Sequence, residues 1–474
     1  MSLFFEELLI LSNTFLDNYF PDCYHFPIKA RRHANYILFY SLDITLRIQV
    51  RFSVGILSAY KQRKAAYMKI LFYRYNSICE PDVIQAFKEL GHSVCEIREE
   101  MTNKAVTPSE CVHLVSNALE KTNSNIVFSI NFYPAISEVC NIYHLPYVCW
   151  IVDSPVMELY TKSITNPWNR VFLFDNTLYQ EFAPLNPDCI YYLPLATNVT
   201  AKQQVIKQTK TSGYVMPDVS NPDSIKKLCQ YKSDIAFIGS LYTEKNPYDS
   251  LRNTSDFFNG YMDGLIEAQL KVYGYYFVQE ALTENIIEEF KQCMPDFYTQ
   301  PQGSYITDRA TIAQYYIGNK IAAVERQRML SLLSEKYDVD LYTGSDTSSL
   351  PHIHNRGFAK TLTEMPIIFH EAKINLNMTA KPIRTGIPQR IWDVFGSEGF
   401  LISNYQSEIP EYFVPGEDIV LYDSPETLME QTDYYLHHEN ERKEIAHNAF
   451  EKTLEHHTYE KRVELISSLI QTSP

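Results

Sequence analysis

From residue 68 onward, short apolar runs alternate with longer stretches of helical period. Residues 68–73 (MKILFY) read as a buried first strand, 81–90 as the helix after it, and Gly91 as the stop. Residues 93–97, 125–130, 147–152, 170–174 and 189–193 continue as strands, with helices over 110–121 and 135–143 between them, the first capped by Ser109. Alternating strands and helices of this kind imply a parallel, doubly wound sheet. Beyond Asn198 the pattern lapses into a polar stretch, 199–232, that reads as a connection with some local structure. A second α/β series opens at 234–240 (DIAFIGS) and is interrupted by a helical block over about 254–336. It resumes with strands at 339–343 and 374–377, a helix over 388–397 and a strand at 400–403. The remainder is helical, with Ser424 before Pro425 as a strong start signal. Residues 1–67 keep no steady period and are assigned no fold; Met68 is a candidate first residue of the native chain.

Composition narrows the class. The 474 residues exceed one compact core, and 45% hydrophobic with 21% charged residues is ordinary for a globular protein. A net charge of -15 disfavours a nucleic-acid partner, which needs a basic face, but leaves room for a small phosphorylated ligand at a local patch. The nine Cys are scattered without a C-x-x-C pair, which fits neutral thiols in a reducing cytoplasm rather than a disulfide or zinc framework. No apolar run reaches the roughly 20 residues of a membrane span. The best stretch, 34–60, is broken by Asp43, Arg47 and Arg51, so any membrane contact is expected to be peripheral.

Candidate chemistry lies where parallel sheets bind ligands, in the loops after strands. The segment 381–393 (KPIRTGIPQRIWD) joins Arg384, Gly386 and Arg390 to a helix start near Pro388, and Asp393 follows one turn in. Helix-end amides and guanidinium groups make a diphosphate site, with Asp393 able to accept from ribose hydroxyls. A solvated loop with Arg390 and Asp393 as an i,i+3 pair stays open beside it. Gly239 and Ser240 end the first strand of the second series, where small residues let backbone amides approach a phosphate. In the first half, Asp153 stands at a strand end before Ser154 and Pro155, as a base for an acceptor hydroxyl or as a turn-forming residue. Asn131, Asp175 and Asn198 are further polar residues at strand ends. His352 and His354 lack neighbouring Cys or acidic ligands, so no metal site is expected. Walker, H-E-x-x-H and G-x-S-x-G motifs are absent.

An ordered series of these residues carries a resemblance. The segments at 372–377 (AKINLN), 384–390 (RTGIPQR), Asp393, 399–403 (GFLIS), 411–416 (EYFVPG) and 457–459 (HTY) resemble group-1 GT-B glycosyltransferases of the spore-maturation and spore-coat-glycosylation-like branch. The first half is similar to the N-terminal domain that accompanies this branch, through 129–134 (SINFYP), 150–155 (WIVDSP), 172–175 (FLFD) and 192–196 (YLPLA). The likeness spans about 68–470 and leaves out the first 67 residues.

The resemblance implies an α/β fold of two Rossmann-like domains facing a cleft. An acceptor domain would occupy 68–198 and a nucleotide-sugar donor domain 233–474. It implies metal-independent sugar transfer to a glycan, lipid-linked or protein acceptor, without cofactor. Gly239, Ser240, Arg384, Thr385, Gly386, Arg390 and Asp393 would then face the donor, and Asn131 and Asp175 the acceptor. Thr385 departs from the family, which carries an acid there against the donor sugar. Three other classes share the architecture: a non-catalytic nucleotide-sugar- or glycan-binding homologue, a two-lobed binding protein, and a nucleotide-sugar epimerase.

Overall fold

The computed structural model describes residues 67–215, 226–244, 246–300 and 303–470. The unassigned N-terminal stretch therefore lies outside the described residues, apart from Tyr67, as does part of the 199–232 connection. In chain order the first half runs β1 (Lys69–Tyr73), α1 (Glu80–Glu89), β2 (Ser93–Ile97), α2 (Pro108–Thr122), β3 (Ile126–Ile130) and α3 (Pro134–Tyr143). It continues with β4 (Tyr147–Ile151), β5 (Asn169–Leu173), α4 (Asn176–Phe182) and β6 (Ile190–Tyr192). The six strands form one parallel sheet in the order β2-β1-β3-β4-β5-β6. Every residue of β3, β4 and β5 is buried, as expected of strands covered on both faces, and this is why they read as continuous apolar runs.

Helix α5 (Val199–Ser212) comes next, then an antiparallel pair, β7 (Tyr214–Val215) and β8 (Lys226–Lys227). The second half follows with β9 (Ile235–Ile238), the helices α6 (Asp256–Leu270), α7 (Val278–Ala281), α8 (Glu284–Cys293) and α9 (Gly318–Ser334), and β10 (Val339–Tyr342). It is completed by β11 (His354–Asn355), β12 (Ile374–Asn377), α10 (Gln389–Gly396), β13 (Leu401–Asn404), β14 (Val420–Tyr422), α11 (Pro425–His437), α12 (Glu439–His456) and α13 (Tyr459–Ile470). Its sheet is also parallel, in the order β11-β10-β9-β12-β13-β14. The expected fold class, two doubly wound parallel sheets with a helical insertion in the second, is the one observed.

Two local readings change. The cap of α2 is Thr107, not Ser109: Pro108 takes the first helical position, and Glu110 closes a capping box by accepting from the Thr107 amide. The polar stretch after β6 opens with a regular helix, α5, capped by Asn198, whose Oδ1 accepts from the Ala201 amide at 3.0 Å. Only Val199, Ile206 and Thr209 of α5 are buried, so its apolar stripe is too thin to read as a helix by period.

The halves share a core. One buried cluster runs from Phe72, Trp150 and Phe172 under the first sheet to Ile391, Trp392 and Phe395 of α10, and on to Val463 and Ile466 of α13. Helix α13 packs on α1, and its Arg462 donates to the carbonyls of Pro194 (2.9 Å) and Leu195 (3.3 Å). No helix among the described residues is long and apolar enough to cross a membrane.

Candidate functional site

Each parallel sheet has one point where strand order reverses, and ligands of such sheets bind beyond the strand ends there. In the second sheet that point lies between β9 and β12. Two guanidinium groups meet at it over the Phe237 ring, Arg326 of α9 at 5.4 Å from the ring centre and Arg390 of α10 at 4.7 Å. Arg326 is 4% exposed; it donates to the carbonyls of Ser240 (2.6 Å) and Met378 (2.7 Å), while its buried Nε has no partner among the described residues. Arg390 donates to Asn377 Oδ1 at 3.1 Å. Neither has an ion-pair partner among the described residues. Burial lowers the pKa of both, and Arg390, which also feels the charge of Arg326, is brought down to about 9. Glu325 and Glu244 offset part of the charge on Arg326, and Asp393 part of that on Arg390, but none pairs directly with either, so two like charges face each other where an anion would relieve them.

Gly239 is part of this arrangement. A Cβ at position 239 would overlap the Arg390 guanidinium, so only glycine leaves room for it. Gly239→Ala is expected to cost roughly 1–3 kcal/mol through this overlap, measurable as a lower urea midpoint at unchanged slope; an unchanged midpoint would show that Arg390 moves aside freely. Ser240 is engaged locally, donating to Glu244 Oε1 at 2.7 Å and accepting from the Tyr242 amide at 2.8 Å.

Sequence reasoning missed Arg326, because it sits inside a long helical block with nothing local to single it out. It also left out Glu325 and Lys381, which pair at 3.0 Å in the same buried region, with Lys381 4.7 Å over the Tyr273 ring.

The first sheet reverses between β1 and β3. The chain leaving β3 carries Asn131 at φ 59, and the structure brings it together with Asp153. Asn131 Nδ2 donates to Asp153 Oδ2 (2.7 Å) and to the Tyr75 hydroxyl oxygen (2.9 Å), while Asn131 Oδ1 accepts from the Val152 amide (3.0 Å). Tyr75 in turn donates to Asp153 Oδ2 at 3.1 Å. Burial, followed by the Asp153 charge, pushes the Tyr75 hydroxyl far up, so it stays a donor. Asp153 itself is exposed. The next residue reaches the second half, with Ser154 Oγ donating to Pro382 O at 2.6 Å. The Asp153 carboxylate is thus held on one oxygen, with the side chain open to solvent.

The segment 384–386 holds an anion, but it is the protein's own. Asp175, fully buried at the N-cap of α4, accepts at Oδ2 from the amides of Arg384 (2.7 Å), Thr385 (3.1 Å) and Gly386 (3.2 Å). Its Oδ1 accepts from the Leu178 amide and the Thr385 hydroxyl, each at 3.1 Å. A side chain at Gly386 would lie 3.0 Å from the Asp175 Cα, so the contact is tight. The Arg384 guanidinium pairs with Glu181. Of the residues expected at the donor, Arg384 and Gly386 (diphosphate) and Thr385 (sugar) thus bind Asp175, expected at the acceptor, and the four form one contact between the halves. Asp393, expected at the donor ribose, takes hydrogen bonds on Oδ1 from Thr197 (2.9 Å) and Gln389 (3.1 Å) and lies 3.1 Å from Lys202 Nζ of α5. Asn198 Nδ2 donates to Asp82 at 2.8 Å.

Residues 325–468 match the family model of glycosyl transferase-like proteins. The match begins at Glu325 and takes in both Arg326 and Arg390. A search of curated proteins by sequence finds no match. Among solved structures the chain is similar to a glycosyltransferase from Rickettsia africae, with TM-score 0.46, 10% identity, and 86% of this chain and 100% of that one covered. It is also similar to Anabaena HepE in complex with UDP and glucose (TM-score 0.45, 10% identity, 86% and 100%) and to sucrose-phosphate synthase from Thermosynechococcus elongatus (TM-score 0.44, 8% identity, 85% and 98%).

Proposed function

We propose that this chain is a GT-B glycosyltransferase that moves a sugar from a nucleotide-sugar donor to a glycan, lipid-linked or protein acceptor, with the donor diphosphate held between Arg326 and Arg390. The observation that carries this reading is the pair of buried guanidinium groups over the Phe237 ring at the second switch point, beside the Gly239 turn, neither in a direct ion pair among the described residues. The glycosyl transferase-like match over 325–468 supports the reaction class. Preorganised cationic donors stabilise a departing diphosphate without reorganisation at the moment of reaction, the work a metal ion does elsewhere, so no metal or other cofactor is part of this proposal. Asp153, held by Asn131 and Tyr75, is the base for an acceptor hydroxyl where inversion demands one. A cytoplasmic setting, at most peripheral to a membrane, and membership of the spore-maturation and spore-coat-like branch belong to the same proposal.

The test is a thermal-shift panel of UDP-, GDP-, CMP- and dTDP-sugars on the full chain and on Arg326→Ala. A donor present at 100 times its dissociation constant adds about 2.7 kcal/mol to folding stability. One nucleotide class is expected to shift the wild type and to lose the shift in Arg326→Ala. No shift with any donor, or an equal shift in the variant, would refute the site.

A further inference from the structure

The helical insertion, which supplies Arg326, also borders an open cavity. About 390 Å³ lies between it and the 384–386 turn, lined by Tyr276, Gln279, Glu280, Arg309 and Arg384. This volume falls within the roughly 300–1,000 Å³ of small-ligand pockets. Four of the five residues come from the insertion, the fifth from the loop that leaves β12. That loop gives its Met378 carbonyl to Arg326 and ends beside Arg390, so the cavity and the anion site share one segment of chain. The first half reaches the cavity as well, because Glu181 of α4 holds the Arg384 guanidinium and accepts from Tyr160 at 2.8 Å. Three parts of the fold therefore meet at Arg384.

We infer that this cavity is a subsite for a neutral pyranose of the acceptor glycan. The inference rests on the glycosyl-transfer reading and adds the class of acceptor. Hydrogen-bond types decide the ligand class. Arginine offers only donors, Glu280 only acceptors, and the Gln279 carboxamide both. A phosphate would meet the Glu280 carboxylate, and an ammonium group would meet the Arg384 guanidinium; Arg309 is engaged by Glu284 and by the carbonyls of Gln279 and Leu282. A hydrocarbon would leave polar edges unsatisfied. Sugar hydroxyls both donate and accept, and they fit the mixture. Existing pairings leave capacity for this. Arg384 makes one guanidinium hydrogen bond, to Glu181, and the Gln279 side chain makes none, among the described residues. Glu280 accepts only from Tyr275, at 3.2 Å, among the described residues. Outside the lining, Tyr275, 60% exposed, donates to Glu280, and Tyr305, 45% exposed, packs edge-on to Tyr160.

The test is saturation-transfer NMR on the full chain with three probes, maltose, cellobiose and N,N'-diacetylchitobiose. At least one is expected to receive saturation from the wild type. The effect should fall at least about five-fold in Gln279→Trp, which fills the cavity, and in Glu280→Ala, which removes an acceptor. Both positions lie near the surface, and a thermal melt checks that each variant is folded. The nucleotide-induced thermal shift should be the same in both variants as in the wild type. No transfer to any of the three sugars, or transfer that both variants retain in full, would overturn the assignment. The donor reading fails on a different result, the nucleotide panel with Arg326→Ala, so the two failures are distinguishable.

Discussion

Asp175→Asn is expected to destabilise the chain by on the order of 3–5 kcal/mol, the largest effect of any single conservative substitution considered. The carboxylate takes three backbone amides on one oxygen and an amide and a hydroxyl on the other, with no exposure to water. Asparagine retains one oxygen. That oxygen can still cap α4 by accepting from Leu178, and Asn is as good a cap as Asp. The other position becomes an NH₂ group that faces the amides of Arg384, Thr385 and Gly386, so donors confront donors and lose their only acceptor. Loss of the like charge beside Glu408 returns part of this cost. The comparison with Asp175→Ala separates the two roles, since alanine also loses the cap and should cost about 1 kcal/mol more. Urea unfolding of the three proteins measures both differences. A midpoint for Asp175→Asn that corresponds to a loss under about 1 kcal/mol would mean that the contact between the halves does not depend on this carboxylate.

The second large effect is a dependence of stability on pH through Glu408. This residue is 2% exposed, accepts from the Asn176 amide at 2.7 Å and from the Tyr192 hydroxyl at 2.6 Å, and is pushed up to about 7 by burial and then by the Asp175 charge. Tyr192 and Tyr412, linked at 2.9 Å, also have pKa values raised by burial and stay protonated. A carboxyl whose folded pKa is raised binds more protons in the folded than in the unfolded state. Stability therefore falls as pH rises from about 4.5, its unfolded value, to about 7. A tenfold change in proton affinity between the two states is worth about 1.36 kcal/mol, so the loss across the window is on the order of 3 kcal/mol. Glu408→Gln cannot ionise, and its melting temperature should lack this fall between pH 5 and 7 and lie above that of the wild type at pH 8. Melts at half-unit steps check this. A wild-type curve flat across the window, or a slope that survives in Glu408→Gln, would show that Glu408 ionises outside this range.

Both effects come from one contact between the halves, and that contact was not legible in the chain. Asp175 was visible as a polar residue at a strand end, and the turn at 384–386 as an anion-binding turn. That the first fills the second depends on how the sheets are placed, across a separation that no local pattern records. The same limit explains Asp393. A carboxylate one turn into a helix after an arginine reads as a ligand group until Lys202 of α5 is found beside it. Arg326 shows the converse. It is one of many polar residues in a helical block, and only the folding of α9 against β9 and β12 makes it a buried cation beside Arg390.

What the sequence by itself determined was the alternation of elements and their order, hence two parallel sheets. Strands buried on both faces must be apolar throughout, and helices that cover them must carry a stripe, so each element announces itself within its own length. The short strands β11 and β14 and the thin-striped α5 escaped because too few of their residues are constrained by burial. The positions of Gly239 and Asp153 just after strands were also legible, since β9 and β4 announce themselves by their apolar runs. The tertiary structure alone decided which charges find partners inside the protein and which are buried without a direct ion pair. An ion pair is made by proximity in space, and burial then sets what an unpaired charge costs.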